Sequence, residues 1–513
     1  MNWADYLEWG TRENPHKPLV YCNDKIVTYG EMSSWTNCIG NVLADLDVSK
    51  GERVATYLPN TPEHEAVLLG ALKLGAIGCP LSMRENNVIV IDLLRGLEAK
   101  VLVVGAESVE FAREVLQELP ELKILMADDA SLGFLSLGEL VGTASAELET
   151  LPMRDSEVAF IAYTGGTTGR PKGVQLTAGM LRAHNYVWYE RYQLSRASEV
   201  FFGCLSLWHV GGVLDAMALS YTTGASHVLL PKWNPVTALH LVKKHRVTCM
   251  IAATTLYQQM SRCDEFLTTD CSSLKICAVG GEPVPVELKE RWFRVTGASM
   301  REGFGMSEAC TQVFAPGKDA PLSSCGKPFD RIEEVRLVDP ESRCVIEGAG
   351  SGELAVRGDN VTPGYWHDPE QTGRKFDAEG WYYTGDMVRR DEDGYYYTVG
   401  RVDDMFQSGG ENVYPSEIEA ALVLHPDVTK AFCFPEPHTE WGKAACAVVE
   451  LRPGATSNAE RILEFCTTHS TLARFKRPRR IFCIDELPIG ATGKVLRRQV
   501  KEWLAAQGYH AEF

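Results

Sequence analysis

The chain has 513 residues, 45% of them hydrophobic and 23% charged, the make-up of an ordinary globular protein too long for one simple core. Its formal net charge of −17 disfavours nucleic acid or an anionic membrane as partner, and makes any local basic cluster informative. No apolar window reaches transmembrane length, "MNWADYLEWG" has neither a basic nor an apolar leader region, and the fifteen cysteines form no C-x-x-C pair. No membrane span, secretory signal, zinc site or disulfide framework is therefore expected, and a reducing cytoplasm is the expected location.

In chain order, "RVATYLPN" (53–60), "AKVLVVG" (99–105), "LKILMA" (122–127) and "EVAFIAYT" (157–164) read as short strands. Helical segments lie between them, such as "EHEAVLLGALKLGA" and "SVEFAREVLQEL". Strand alternating with helix predicts an α/β fold with layered, largely parallel sheets. From about 325 to 400, runs such as "GELAVRG" and "GYYYTVGR" shorten to hairpin spacing and predict a small β-rich subdomain. "PSEIEAALVLH" (415–425) opens on a proline with Ile418 and Leu422 at helical spacing, so a small α+β C-terminal domain is expected. The expected boundaries are 1–400 and 401–513.

The most informative stretch is "YTGGTTGRPKG" (163–173), directly after the apolar run "VAFIA". It can be read as a surface turn, a flexible linker or a phosphate cradle. Glycines let backbone N–H groups face a ligand, threonines add donors, and Lys172 adds a charge. Arg170 and Pro171 separate Gly169 from Lys172, so it is not the G-x-x-x-x-G-K-[ST] loop, nor is it G-x-G-x-x-G.

This loop resembles the phosphate-binding loop of adenylate-forming enzymes, the superfamily of acyl- and aryl-CoA ligases, peptide-synthetase adenylation domains and firefly luciferase. Gly165 stands where the usual loop has serine. Further motifs follow in the family's order: "LSLWHVGG" (205–212), "GGEPV" (280–284), "EGFGMSE" (302–308), "WYYTGD" (381–386), "GRVDDMFQSGGENVYPSEIE" (400–419) and "LPIGATGKVLRR" (487–498). The resemblance spans essentially the whole chain.

It implies ATP-dependent activation of a carboxylic acid as an acyl-adenylate, in which a carboxylate must approach an anionic α-phosphate. Thr164, Gly165, Gly166, Thr167, Thr168, Gly169 and Lys172 would hold the β- and γ-phosphates. Gly281, Glu282 and Pro283 would form the adenine-side turn. Glu302, Gly303, Phe304, Gly305, Met306 and Ser307 would line the nucleotide, with Phe304 against adenine and Ser307 on the α-phosphate. Glu308 would bind Mg²⁺, a hard cation that takes oxygen ligands. Asp386 would accept from the ribose hydroxyls, with Arg401 beside it. His209 would lie at the acyl pocket, and Lys494 would bridge carboxylate and α-phosphate. His209, Asp386 and Lys494 each have a plain alternative, respectively a core histidine, a turn aspartate and a solvated lysine.

The resemblance also implies a hinge at Asp403 and a second orientation that admits coenzyme A. Ser408, Gly409 and Gly410 would leave a passage for pantetheine, with Trp441, Phe475 and Arg477 on the rest of CoA. From 474 to 501, nine lysines and arginines stand against two acids, a surplus of seven that suits CoA phosphates or a solvated face. The leading expectation is an acid–CoA ligase for a hydrophobic acyl or aryl acid. A stand-alone enzyme loading a carrier protein, a luciferase-like oxygenase and an inactive binding protein stay open. No aspartate follows His209 where amino-acid-activating domains place one; Asp215 lies several residues later and does not align. Oligomeric state is open, a homodimer included.

Overall fold

The structure is a computed structural model and describes residues 1–127, 133–164, 171–194, 197–281, 284–310, 312–329, 333–468, 472–489 and 495–509. Contacts divide the chain into two compact units, one of residues 1–334 with 356–382, the other of 335–355 with 383–513.

The first unit is built on two seven-stranded sheets. One has the order Leu135–Ser136, Lys123–Met126, Val101–Val104, Arg53–Tyr57, Ile77–Pro80, Val158–Thr164, Lys172–Thr177. All its pairings are parallel except the last, a hairpin. The other has the order Ser299–Glu302, Ile276–Gly280, Cys249–Ala253, Val200–Gly203, Ser226–Leu229, Pro18–Cys22, Lys25–Thr28, again parallel but for a closing hairpin. The expected α/β layering is what the chain adopts.

The helix Pro62–Lys73 shows how the core forms. Thr61 caps it by accepting from the His64 N–H, Pro62 starts it, and every residue but Glu63 is buried. Its polar side chains survive burial because each has a partner. Glu65 accepts from Tyr221 Oη at 2.9 Å and lies 2.8 Å from His227 Nε2; Lys73 reaches Glu8 at 2.5 Å. Around them, Leu68, Phe160, Leu181 and Met217 belong to one apolar cluster drawing on both sheets.

In parallel sheets, ligands bind beyond the carboxyl ends of the strands. Described residues of the segments singled out by sequence sit there: 204–212 follows Val200–Gly203, Gly281 follows Ile276–Gly280, and 303–308 follows Ser299–Glu302.

The second unit holds almost all of a four-stranded sheet, Glu333–Val338, Gly350–Gly358, Tyr382–Arg390 and Tyr396–Arg401 in that order. It adds a short hairpin, Phe406–Ser408 with Glu411–Val413, and a three-stranded sheet, Val428–His438, Gly442–Leu451 and Arg480–Ile484, packed by helices Pro415–Val423, Ala459–Thr468 and Arg497–Ala506. No helix among the described residues is long and apolar enough to cross a membrane.

Candidate active site

Thr164 ends one strand and Lys172 begins the next, and the two are direct partners in the hairpin. The strands on either side of the loop are therefore paired up to Thr164 and Lys172. Gly165, Gly166, Thr167, Thr168 and Gly169 lie outside the described residues, as do Glu282, Pro283 and Lys494. Gly173 is needed beneath the loop, because a Cβ there would come within 2.9 Å of Ile161 and 3.3 Å of Trp366.

Lys172 Nζ lies 5.4 Å from the centre of the Tyr365 ring and 3.2 Å from Gln371 Oε1. The Tyr365 hydroxyl donates to Glu308 Oε1 at 2.8 Å and lies 3.2 Å from the Tyr382 hydroxyl. The backbone fixes the same group, since Glu308 C=O accepts from the Thr362 N–H at 2.7 Å. One aromatic side chain thus carries the loop cation on its face and the carboxylate on its hydroxyl. Tyr365 and Gln371 escaped the sequence reading. Tyr382 lay inside the quoted motif "WYYTGD", but nothing in the sequence pairs it with Tyr365.

The segment 302–308 is anchored at both ends. Glu302 is buried and its carboxylate is committed to Lys289 Nζ at 2.6 Å, with Cys325 Sγ at 3.9 Å. Burial raises its pKa while the Lys289 ammonium opposes the rise. Its side chain braces the strand end. Gly303 N–H donates to Val279 C=O at 2.9 Å, Phe304 pairs with Phe314 with ring centres 5.5 Å apart, and Ser307 is buried at the start of a 3₁₀ turn. Gly305 and Met306 are half-buried between them, and Gly281 has the left-handed φ of +91° that turns the chain off its strand.

His209 is exposed rather than part of the core, and its Nδ1 accepts from the Gly211 N–H at 3.2 Å, which leaves Nε2 to carry the proton in the neutral ring. The chain then enters a π-helical turn, Gly212–Ala218, a form concentrated at functional sites. That turn brings Asp215 back toward His209, although five residues of sequence separate them.

In the second unit, Asp386 and Arg401 face each other across paired strands, with Arg401 Nη1 donating to Asp386 Oδ1 at 2.8 Å and to Thr384 C=O at 3.2 Å. Asp386 is thus a fixed acceptor with a cation at its side. Gly385 takes φ +77° and donates its N–H to Glu353 at 3.0 Å. Asp403 is exposed in the 3₁₀ turn Val402–Asp404. Ser408 is buried, and Gly409 and Gly410 form a two-residue hairpin turn with φ of +60° and +87°. Gly409 N–H donates to Trp441 C=O at 3.0 Å. Trp441 stacks on His438 at 4.5 Å, with Arg479 4.1 Å from its ring. Gly410 and Trp441 meet in an open cleft of about 510 Å³ that Met405, Phe406 and Lys443 also line. Phe475 lies in the turn Arg474–Lys476, and Arg477 Nε donates to Leu472 C=O at 3.1 Å. Of the basic cluster, Lys476 pairs with Glu417, Arg480 with Glu436, Arg497 with Asp404 and Arg498 with Glu502. Part of its surplus is therefore spent inside the fold.

Parallel sheets with Lys172, Tyr365 and Glu308 grouped beyond their carboxyl ends are an arrangement suited to a nucleotide ligand. The profile of the AMP-binding enzyme family matches residues 7–366, and that of the AMP-binding enzyme C-terminal domain matches residues 417–494. Similar chains include a long-chain-fatty-acid–CoA ligase of Bacillus subtilis, 31% identical over 95% of this chain and 92% of that one. A 3-hydroxybenzoate–CoA ligase of Aromatoleum sp. is 30% identical over 96% and 94%. Among solved structures, an anthranilate CoA ligase in complex with anthranoyl-AMP superposes with a TM-score of 0.92 at 28% identity, covering 99% of this chain and 98% of that one. The chain belongs to the AMP-binding enzyme family, in its branch of acyl- and aryl-CoA ligases, and it is an adenylate-forming acid–thiol ligase.

Proposed function

We propose that this ligase activates a hydrophobic carboxylic acid, acyl or aryl, with ATP and Mg²⁺, and passes the acyl group to the thiol of coenzyme A. The observation that carries the reading is the grouping of Lys172, Tyr365 and Glu308 beyond the strand ends.

In the first step the acid's carboxylate oxygen bonds to the α-phosphorus and the bond to pyrophosphate breaks. Lys172 and the Thr164 loop neutralise the departing phosphates. Ser307 donates to the α-phosphate, Phe304 meets adenine, and Asp386, held by Arg401, accepts from the ribose. Among the described residues no three acidic, histidine or cysteine side chains gather to hold a metal. A single carboxylate suits Mg²⁺, which takes one or two protein oxygens with phosphate and water for the rest. Glu308, oriented by Tyr365, would hold it, and the ion would screen the phosphate charge. Lys494 would bring the carboxylate to the phosphorus. In the second step the thiol sulfur bonds to the acyl carbon and AMP leaves. Its passage would run by Ser408, Gly409 and Gly410, with Trp441, Phe475 and Arg477 on the CoA. The functional division would fall at 1–400 and 401–513, with Asp403 as hinge. Fifteen free thiols suit a reducing cytoplasm.

The test is pyrophosphate release with ATP and Mg²⁺ over a panel of aliphatic and aromatic acids, with and without CoA, beside Lys494→Ala. Release that requires one class of acid, turns over only with CoA and fails in the variant supports the reading. Release indifferent to CoA points to a carrier-protein acceptor.

A further inference from the structure

The peptide units that carry Asp386 are held by a neighbouring strand. Gly385, directly before it, takes the left-handed φ of +77°, and its N–H donates to Glu353 Oε1 at 3.0 Å. The Asp386 N–H donates to Thr384 Oγ1 at 2.9 Å, and that hydroxyl donates to Leu354 C=O at 2.9 Å. Glu353 and Leu354 stand on Gly350–Gly358, the strand beside Tyr382–Arg390. Two consecutive residues of one strand thereby fix two consecutive N–H groups of the next. Arg401 closes the arrangement from the strand on the other side, with bonds to Thr384 C=O and Asp386 Oδ1.

Glu353 is an unusual residue for its place. It is 4% exposed, inside the buried stretch 352–356. A carboxylate in such a position costs stability unless its oxygens are partnered. Here Oε1 receives the Gly385 N–H and Oε2 pairs with Arg343 Nη1. Arg343 is half exposed and lies 4.0 Å from the centre of the ring of Tyr383, the residue before Thr384. The arginine thus holds the carboxylate by one oxygen and turns the other to the glycine. A leucine of similar size would pack there at less cost, and would leave that N–H without this acceptor.

We propose that Glu353 is a positioning residue for the nucleotide: by holding the Gly385 N–H it sets the angle at which Asp386 offers its carboxylate to the ribose hydroxyls. It acts through Asp386 and not on ATP itself. The inference rests on the ribose role given to Asp386 above and adds the residue that enforces it.

The test compares kcat/KM for ATP with that for 2′-deoxyATP and 3′-deoxyATP, read as pyrophosphate release with one accepted acid. In the wild type ATP should be preferred over at least one of them by roughly 10- to 100-fold, the worth of a hydrogen bond to a charged group, and Asp386→Ala should bring the ratio near one. Glu353→Gln keeps an acceptor oxygen of the same reach and gives up only the charge facing a half-exposed arginine, so it should keep the ratio. Glu353→Leu removes the acceptor and should lower the ratio by roughly 5-fold or more. Glu353→Asp keeps the charge but draws the oxygen back by one methylene; it should lower the ratio too, and serves if the leucine variant does not fold. Because the readout is a ratio between substrates in one preparation, neither a loss of folded enzyme nor a merely structural role moves it. A ratio unchanged in both the leucine and the aspartate variants, or lowered as far by glutamine, overturns the proposal while the ribose role of Asp386 stands. A wild-type ratio near one, or one that Asp386→Ala does not move, removes that ribose role and the proposal with it. No ATP-dependent turnover of any acid takes down the ligase reading and the proposal together.

Discussion

Tyr365 joins two functions in one side chain, and they can be separated. Tyr365→Phe keeps the ring under Lys172 and removes the hydroxyl from Glu308. A hydrogen bond to a charged group contributes about 1.5–3 kcal/mol, so adenylation should slow by roughly 10- to 100-fold with ATP affinity little changed. Pyrophosphate exchange and calorimetry measure the two, and an unaltered exchange rate would remove Tyr365 from the site. Lys289 makes the complementary case. Lys289→Met leaves Glu302 buried without its cation and should cost about 3–5 kcal/mol. The pH dependence has a definite sign. Burial holds the folded-state pKa of Glu302 above its unfolded value, so the folded form binds the proton more readily. The folding benefit of that proton is present at low pH and lost as pH rises through the folded value. The variant's deficit should therefore be larger at pH 8 than at pH 5, and urea denaturation at both would show it. A deficit independent of pH would mean that the ion pair is not its cause.

At the scale of elements, glycine-dependent turns govern the site. A Cβ on Gly212 would sit 2.1 Å from the Ser206 carbonyl oxygen, backbone against backbone. Gly212→Ala should displace the 205–212 segment, raise the KM for the acid and leave ATP binding in place. Gly410 differs, because its Cβ would meet nothing within 4 Å and only its φ of +87° is strained. Gly410→Ala should cost about 1–2 kcal/mol without unfolding the protein. In single-turnover experiments it should slow thioester formation and leave adenylation untouched. Equal slowing of both steps would place the turn outside the thiol passage. These turns were legible in sequence because glycine motifs and short β-rich runs are local signals. So were the parallel strands and the helix at 415–423. Lys289, Gln371 and Tyr365 were not, because their roles depend on partners 13, 199 and 57 residues away.

For the whole molecule, the proposed hinge predicts two activities that can be uncoupled. Proline fixes φ near −65°, so Asp403→Pro should lock whichever orientation suits it and prevent the exchange. Acyl-adenylate formation in a single turnover should then persist while thioester formation fails, or the reverse. Loss of neither would place the pivot elsewhere.

The strand Lys172–Thr177 is the outermost of its sheet, and an open edge invites pairing with other chains. Here the stretch around Tyr365 lies along it: Gln175 N–H donates to Gly364 C=O, Trp366 N–H donates to Gly173 C=O, and Val174 bridges Tyr365. The segment that seals the edge is also the one that delivers Tyr365 to Glu308. During synthesis about the first 360 residues emerge with that border unsealed. A nascent or truncated chain ending before residue 364 would be both inactive and prone to stick to its neighbours, and the few residues that follow close the border while they bring Tyr365 to Glu308.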